Sequence, residues 1–247
     1  MNSYEESVRA EVVRWQQAMQ KPPSRFGKLS TSLQKRINRI IPQRIHKLIT
    51  ATIKQMTRAV LFGAEFLTRL PEPGLTLPQR ESTVISRIDF YRKAGAAEGG
   101  VTGAGGIWLG LADFPLLLGL KMKMLFEIAA LYGHSVADYK ERVYILYIFQ
   151  LAFSSQERRQ VVYQHIVNWE EHSRQLPDDI NQFDWLTFQQ EYRDYIDLAK
   201  MAQLVPGIGA AVGIVANYQL ISQLGRTAMN AYRMRWLEEN KAKLNQG

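Results

Sequence analysis

Residues 94 to 132, AGAAEGGVTGAGGIWLGLADFPLLLGLKMKMLFEIAALY, decide how this chain folds. The first half is glycine-rich, the second is a leucine-rich apolar run, and Asp113-Phe114-Pro115 divides them. The pattern predicts two close-packed helices joined at a tight break, with Asp113 capping the second. Gly95, Gly99 and Gly103, and then Gly106 and Gly110, recur every four positions. They therefore share one helical face and let another backbone approach closely. Near the C-terminus, residues 207 to 225, GIGAAVGIVANYQLISQLG, repeat the device with Gly209 and Gly213. The reading is an all-α, multi-helix bundle with these two glycine-rich hairpins at its centre.

Outward from that centre the chain reads as helix after helix. Val8, Val12, Trp15 and Met19 keep the three-to-four spacing of an amphipathic helix that ends before Pro22-Pro23. Leu33, Ile37 and Ile40 or Ile41 resume the period until Pro42. Beyond it, Ile45, Leu48 or Ile49, Ile53, Met56, Val60 and Phe62 mark a further helix opened by that proline. Thr76 and Pro78 start a helix that runs into the glycine-rich stretch, and Gly133 stops the apolar helix. Ser135 with Asp138 resembles a capping box for a helix through Tyr144 and Phe149. Ser154-Ser155 separates it from one bearing Val161, Val162, Ile166 and Trp169. Residues 170 to 197, rich in acid, read as a solvated helix pair. No alternating stretch demands a strand. Two units are expected: residues 1–75, basic amphipathic helices packing on or extending from the domain, and residues 76–247, the helical domain proper.

Composition excludes several chemistries. The 247 residues are 46% apolar, enough for a substantial core. There is no cysteine, so disulfides, thiolate metal sites and thiol nucleophiles are ruled out. The N-terminus lacks the basic start, apolar core and cleavage site of a signal peptide, and a cytoplasmic location is expected. The net charge of +8 is unevenly placed: residues 12 to 64 carry eleven Lys and Arg and no Asp or Glu. Such asymmetry points to an anionic partner.

Arg36, Arg39, Arg44, Lys47, Lys54 and Arg58 flank an Ile/Leu/Met stripe in that segment, the composition of a helix lying in a membrane interface with its apolar side down. The alternative is an ordinary amphipathic helix whose stripe packs on the domain. Nucleic acid is not the expected partner, because no recognition module is visible and the segment lacks aromatic residues to stack bases.

The glycine cluster is not read as a nucleotide loop. Gly103-Ala104-Gly105-Gly106 lacks the third glycine of G-x-G-x-x-G, no Gly-Lys-Ser/Thr follows, and the context is helical. Two stretches are apolar enough to weigh as membrane spans: Val101 to Leu120 carries only Asp113, and Met201 to Gly225 carries no charge. An ionised aspartate at mid-bilayer costs about 2.5 to 3.5 kcal/mol, and polar residues punctuate the second run, so packing within a soluble fold is expected and insertion of one hairpin is the competing arrangement.

Glu98, Asp113, Lys121 and Asn217 are the polar groups nearest the glycine-rich helices and would line a pocket if one exists there. No His or Ser stands at a diagnostic spacing to make them a catalytic set, and no catalytic residue is assigned. His165 and His172, seven apart with Glu171 nearby, lack metal-ligand spacing and are expected at the surface, with His46 in the basic segment and His134 at a helix end. No metal or cofactor is expected.

Several blocks then agree in order with a known family. A glycine-rich helix, LADFPLLL, EIAALYG (Glu127 to Gly133), VPGIGAAVGIVANY (Val205 to Tyr218) and RTAMNAYRMRWL (Arg226 to Leu237) resemble the EcsC protein family over roughly residues 76 to 238. The resemblance implies a helical fold and, because that bacterial family is named for a gene beside ABC-transporter components, a membrane-transport setting. It implies no reaction and carries over no catalytic residues. The basic segment before residue 65 lies largely outside these blocks. The combined expectation is a non-enzymatic protein docking peripherally on an anionic membrane surface or a membrane protein complex. The alternative is a soluble small-ligand-binding or hydrolase-like protein with a pocket near the glycine-rich helices.

Overall fold

A computed structural model describes residues 3–21, 43–62, 74–102, 106–155, 158–196 and 210–244. Among these residues no strand forms, and a single isolated bridge joins Ser154 to Ile196. The helices are α1 (Ser3–Gln20), α2 (Gln43–Phe62), α3 (Leu77–Thr102), α4 (Gly106–Leu131), α5 (Tyr139–Phe153), α6 (Arg159–Val167), α7 (Trp169–Gln175), α8 (Trp185–Tyr195) and α9 (Ala210–Leu244). A short 3-10 turn, Ile180–Gln182, precedes α8. The expected helix around Leu33, Ile37, Ile40 and Ile41 lies outside the described residues.

The all-α reading therefore holds, and most apolar periods land where the spacing puts them. On α1, Val8 and Val12 are buried, with Trp15 and Met19 packed against the core. On α2, Ile49, Ile53, Met56 and Val60 are buried. The next turn differs from expectation: Leu61 is buried, whereas Phe62 is exposed and meets Trp185 edge-on at 6.0 Å. Thr76 stands at the N-cap position of α3, and Gln79 reaches back to accept from the Thr76 N–H and hydroxyl, both at 2.9 Å, one half of a capping box. Pro78 falls at the second helical position, where its missing N–H is still no loss.

Gly133 ends α4 as expected. It adopts φ +97°, and the Gly133 and His134 N–H groups donate to the carbonyls of Ala130 (2.8 Å) and Ala129 (3.0 Å), the paired bonds of a Schellman turn. The capping box at Ser135 is not what forms. Asp138 itself is the N-cap of α5, accepting from the Lys140 N–H at 2.9 Å, while Ser135 accepts from the Ala137 N–H.

The break at Asp113-Phe114-Pro115 is a correction. α4 runs unbroken from Gly106 to Leu131 with Pro115 inside it, so Asp113 is an interior residue and not a cap. A proline there forfeits one hydrogen bond and strains the preceding turn, at about 3 kcal/mol. Phe114, Leu117 and Leu118, all buried, anchor the helix on both sides and offset that cost.

α5 is the helix enclosed on nearly every side: Glu141 and all residues from Val143 to Phe153 are buried. α9 is 35 residues long, about 52 Å at the helical rise, and packs against α1, α3, α4 and α5. It packs tightly on α3 at Gly225, where an added Cβ would stand 2.8 Å from Ile88. α1 and α2 contribute Val8, Val12, Ile49 and Ile53 to the same core cluster as α4 and α5. Two arginines tie helix ends together: Arg80 donates to the Leu131 carbonyl at 2.7 Å and Arg142 to the Leu61 carbonyl at 2.9 Å. Of the acidic pair, Glu170, Glu171 and Glu191 are solvated, while Phe188, Tyr192 and Ile196 turn inward.

Candidate functional site

The basic segment presents one clear face. Lys47, Lys54 and Arg58 on α2 lie seven and four residues apart, so they share a helical side, and all three are exposed. The apolar stripe opposite them is covered by α4, α5 and α8. This corrects the picture of a helix lying apolar side down in a membrane, because the apolar side is part of the domain core. What α2 offers outward is charge. Arg44 begins the same helix, though its side chain, like all of Arg36 and Arg39, lies outside the described residues. So does the surrounding of His46.

The pocket expected around Glu98, Asp113, Lys121 and Asn217 is represented in the description by Lys121. Glu98 sits in the last turns of α3, Asp113 in α4 and Asn217 in α9, with their side-chain surroundings outside it. Lys121 is buried, and its Nζ donates to the Leu117 carbonyl at 3.3 Å. With Gly95, Tyr91, Leu120 and Ile221 it lines a crevice of about 10 Å³, too small for a ligand. Gly95 is buried in that contact between α3 and α4. The surroundings of Gly99, Gly103, Gly106, Gly110, Gly209 and Gly213 lie outside the described residues.

The histidines differ from expectation. His165 and His172 are half-buried: their rings stand 5.2 Å apart, and His165 stacks on Tyr147 at 4.7 Å. Tyr147 also meets His172 through its hydroxyl at 3.2 Å. Burial holds both imidazoles below their usual pKa. Among the described residues, no group of three or more His, Asp or Glu is arranged to hold a metal.

A buried polar network is the feature that sequence spacing missed. Glu81 on α3 is fully buried and receives four donors: Tyr4 (2.7 Å), Tyr132 (2.9 Å), and Nε (2.7 Å) and Nη2 (2.6 Å) of Arg233. Arg233 also pairs with Glu11 of α1. Burial, with Glu81 alongside, pushes the Tyr4 hydroxyl up to about 12. Tyr132 stacks on Tyr232, rings 5.6 Å apart and 16° from parallel. Tyr232 donates to Glu141 at 2.7 Å, and Arg235 bonds the other Glu141 oxygen at 2.7 Å. Arg235 also donates to His134 Nδ1 at 3.0 Å, which requires a neutral imidazole protonated on Nε2. Burial, then the Arg235 charge, lowers the His134 pKa to about 4. The 3.9 Å approach of His134 to Glu141 is therefore not an ion pair.

Each member of this network bonds another member, so it works as a lock among α1, α3, α4, α5 and α9. A signal for it does exist in the sequence. Leu77, Val84 and Ile88 define the inward register of α3, and Glu81 falls within that register, four residues after Leu77 and seven before Ile88.

The sequence model of the EcsC protein family matches residues 6–237. Protein EcsC of Bacillus subtilis (strain 168) is 43% identical over 230 residues, covering 93% of this chain and 94% of that protein. The Bacillus subtilis protein YdbA is 26% identical over 250 residues, 93% of this chain and 91% of its own. No solved structure matches the chain. The family match begins well before residue 76, so the basic segment belongs to the shared region and not outside it.

Proposed function

We propose a function from the premise that this chain belongs to the EcsC protein family, which matches nearly its full length. The protein is a non-enzymatic helical module that docks peripherally on an anionic membrane surface, or on a membrane transport complex within it, from the cytoplasmic side. The supporting observation is the exposed row Lys47, Lys54 and Arg58, set in a stretch of residues 12 to 64 without a single Asp or Glu. The contact is electrostatic: each such residue near an anionic leaflet contributes roughly 1 kcal/mol, and salt weakens it. No described helix is long and apolar enough to cross a membrane. Attachment through charge on a helix whose apolar face is already covered agrees with that.

Co-sedimentation of the purified chain with vesicles tests this reading. Binding to phosphatidylglycerol-containing vesicles, and not to phosphatidylcholine alone, is the expected outcome. Equal binding to both, or binding to neither, contradicts it.

A further inference from the structure

Away from α2, the seam among α1, α3, α5, α6 and α9 opens into two adjoining cavities of about 600 Å³ each. Arg92, Ser222 and Arg226 form a wall common to both. The first has Ile85, Ile88 and Met229 on its floor, the second Trp15, Met19 and Leu151. Both volumes fall within the range typical of small-molecule sites, roughly 300 to 1,000 Å³.

The seam carries more positive charge than its acids neutralise. Five arginines line it, Arg14, Arg92, Arg159, Arg226 and Arg233, against Glu11 and Asp89. Glu11 is taken by Arg233 and Asp89 by Arg92. Among the described residues, no carboxylate pairs with Arg14, Arg159 or Arg226. Arg159 is half-buried, and burial alone, with no acid to offset it, depresses its pKa. A desolvated cation without a counter-ion is costly, so an anion entering beside it gains more than at an open surface.

Two further polar atoms in this seam are buried without a protein hydrogen-bond partner, the Nε donor of Arg92 and the Oδ1 acceptor of Asn230. Each carries a desolvation cost of about 1 to 3 kcal/mol; Arg92 belongs to the wall common to both cavities, and Asn230 lines the first. Arg92 is otherwise held in place, its guanidinium over the Tyr218 ring at 4.7 Å and its Nη1 toward Ser222 at 3.4 Å. A bare anion would neutralise the arginines and leave the apolar floors unused. A neutral apolar molecule would cover the floors and leave the arginines unmatched.

We propose that this seam binds an anionic amphiphile, its phosphate or carboxylate head held at the wall by Arg92, Arg159 and Arg226 and its single hydrocarbon chain laid along Trp15, Met19 and Leu151. The site is independent of the docking face: α2 packs on α4, α5 and α8, and contributes nothing to the seam.

Calorimetric titration of the full chain below the critical micelle concentration tests it with three probes: oleoyl lysophosphatidic acid, oleoyl lysophosphatidylcholine and glycerol 3-phosphate. The acid binds at least tenfold more tightly than either of the others, and R159Q/R226Q weakens it at least tenfold. The single variant R226Q, which alters an exposed side chain and leaves the fold intact, weakens it at least threefold, while K54Q on α2 leaves it unchanged. The proposal is overturned by no binding of the acid, by equal binding of the two lysolipids, by glycerol 3-phosphate binding as tightly as the acid, or by unchanged affinity in R226Q.

Discussion

Arg233 of α9 grips Glu81 of α3 with two parallel bonds of 2.7 and 2.6 Å, across 152 positions of sequence and with the carboxylate fully buried. Removing one partner leaves the other charged and desolvated, at a cost of about 3 to 5 kcal/mol. R233M is therefore expected to lower the urea midpoint strongly, and E81Q somewhat less because the amide still accepts from Tyr132. E81L/R233M removes both charges and recovers part of the loss, the Tyr4 and Tyr132 hydroxyls being left without their acceptor. A double variant no more stable than R233M alone would contradict this account of the pair.

At Gly225 the helices touch through a missing side chain. An alanine Cβ there meets Ile88 Cδ1 and Cγ1 at 2.8 Å and Cγ2 at 2.9 Å. Because Ile88 is branched at Cβ it cannot rotate clear, so G225A costs about 1 to 3 kcal/mol despite the better helix propensity of alanine. Adding I88A to G225A makes room, and the two changes together should cost less than their sum by chemical denaturation.

His134 gives the fold a dependence on acid. Its pKa is about 4 against an ordinary 6.5, so between those values the unfolded chain binds its proton and the native chain does not. Stability therefore falls as pH drops from 6.5 toward 4, by up to about 3 kcal/mol. Arg235, Arg80, Tyr232, Glu141 and Glu239 face the ring. Burial raises the pKa of Glu141, which works in the opposite sense: its contribution is present at low pH and lost as pH rises through the raised value. Comparison with H134Q cancels that contribution, since Glu141 stays. The variant's urea midpoint should change less between pH 7 and pH 5 than the wild type's.

Helix order and core register were readable from spacing because apolar residues at three and four positions have one way to be buried together. Val8, Val12, Ile49, Ile53 and Val60 are cases in point. Local polarity misled at Asp113-Phe114-Pro115: Asp followed within two residues by Pro looks like a helix start, and the buried Phe114, Leu117 and Leu118 outweigh it. The Glu81–Arg233 and Glu141–Arg235 pairs were beyond spacing arguments, since their partners lie 152 and 94 residues apart. Nor does a one-dimensional reading show that Arg92, Arg159 and Arg226 converge from three helices. The charge asymmetry of residues 12 to 64 was visible at once. That the apolar side of α2 is covered needed the packing.

The measurement closest to the central claim is the binding of wild type and of K47Q/K54Q/R58Q to phosphatidylglycerol-containing vesicles, followed as salt is raised. All three side chains are exposed, so the variant should keep its thermal midpoint. Three lost contacts of roughly 1 kcal/mol each predict an affinity drop on the order of 100-fold at low salt and a shallower salt dependence. A variant that binds the vesicles as the wild type does, with the same salt dependence, would contradict docking through α2.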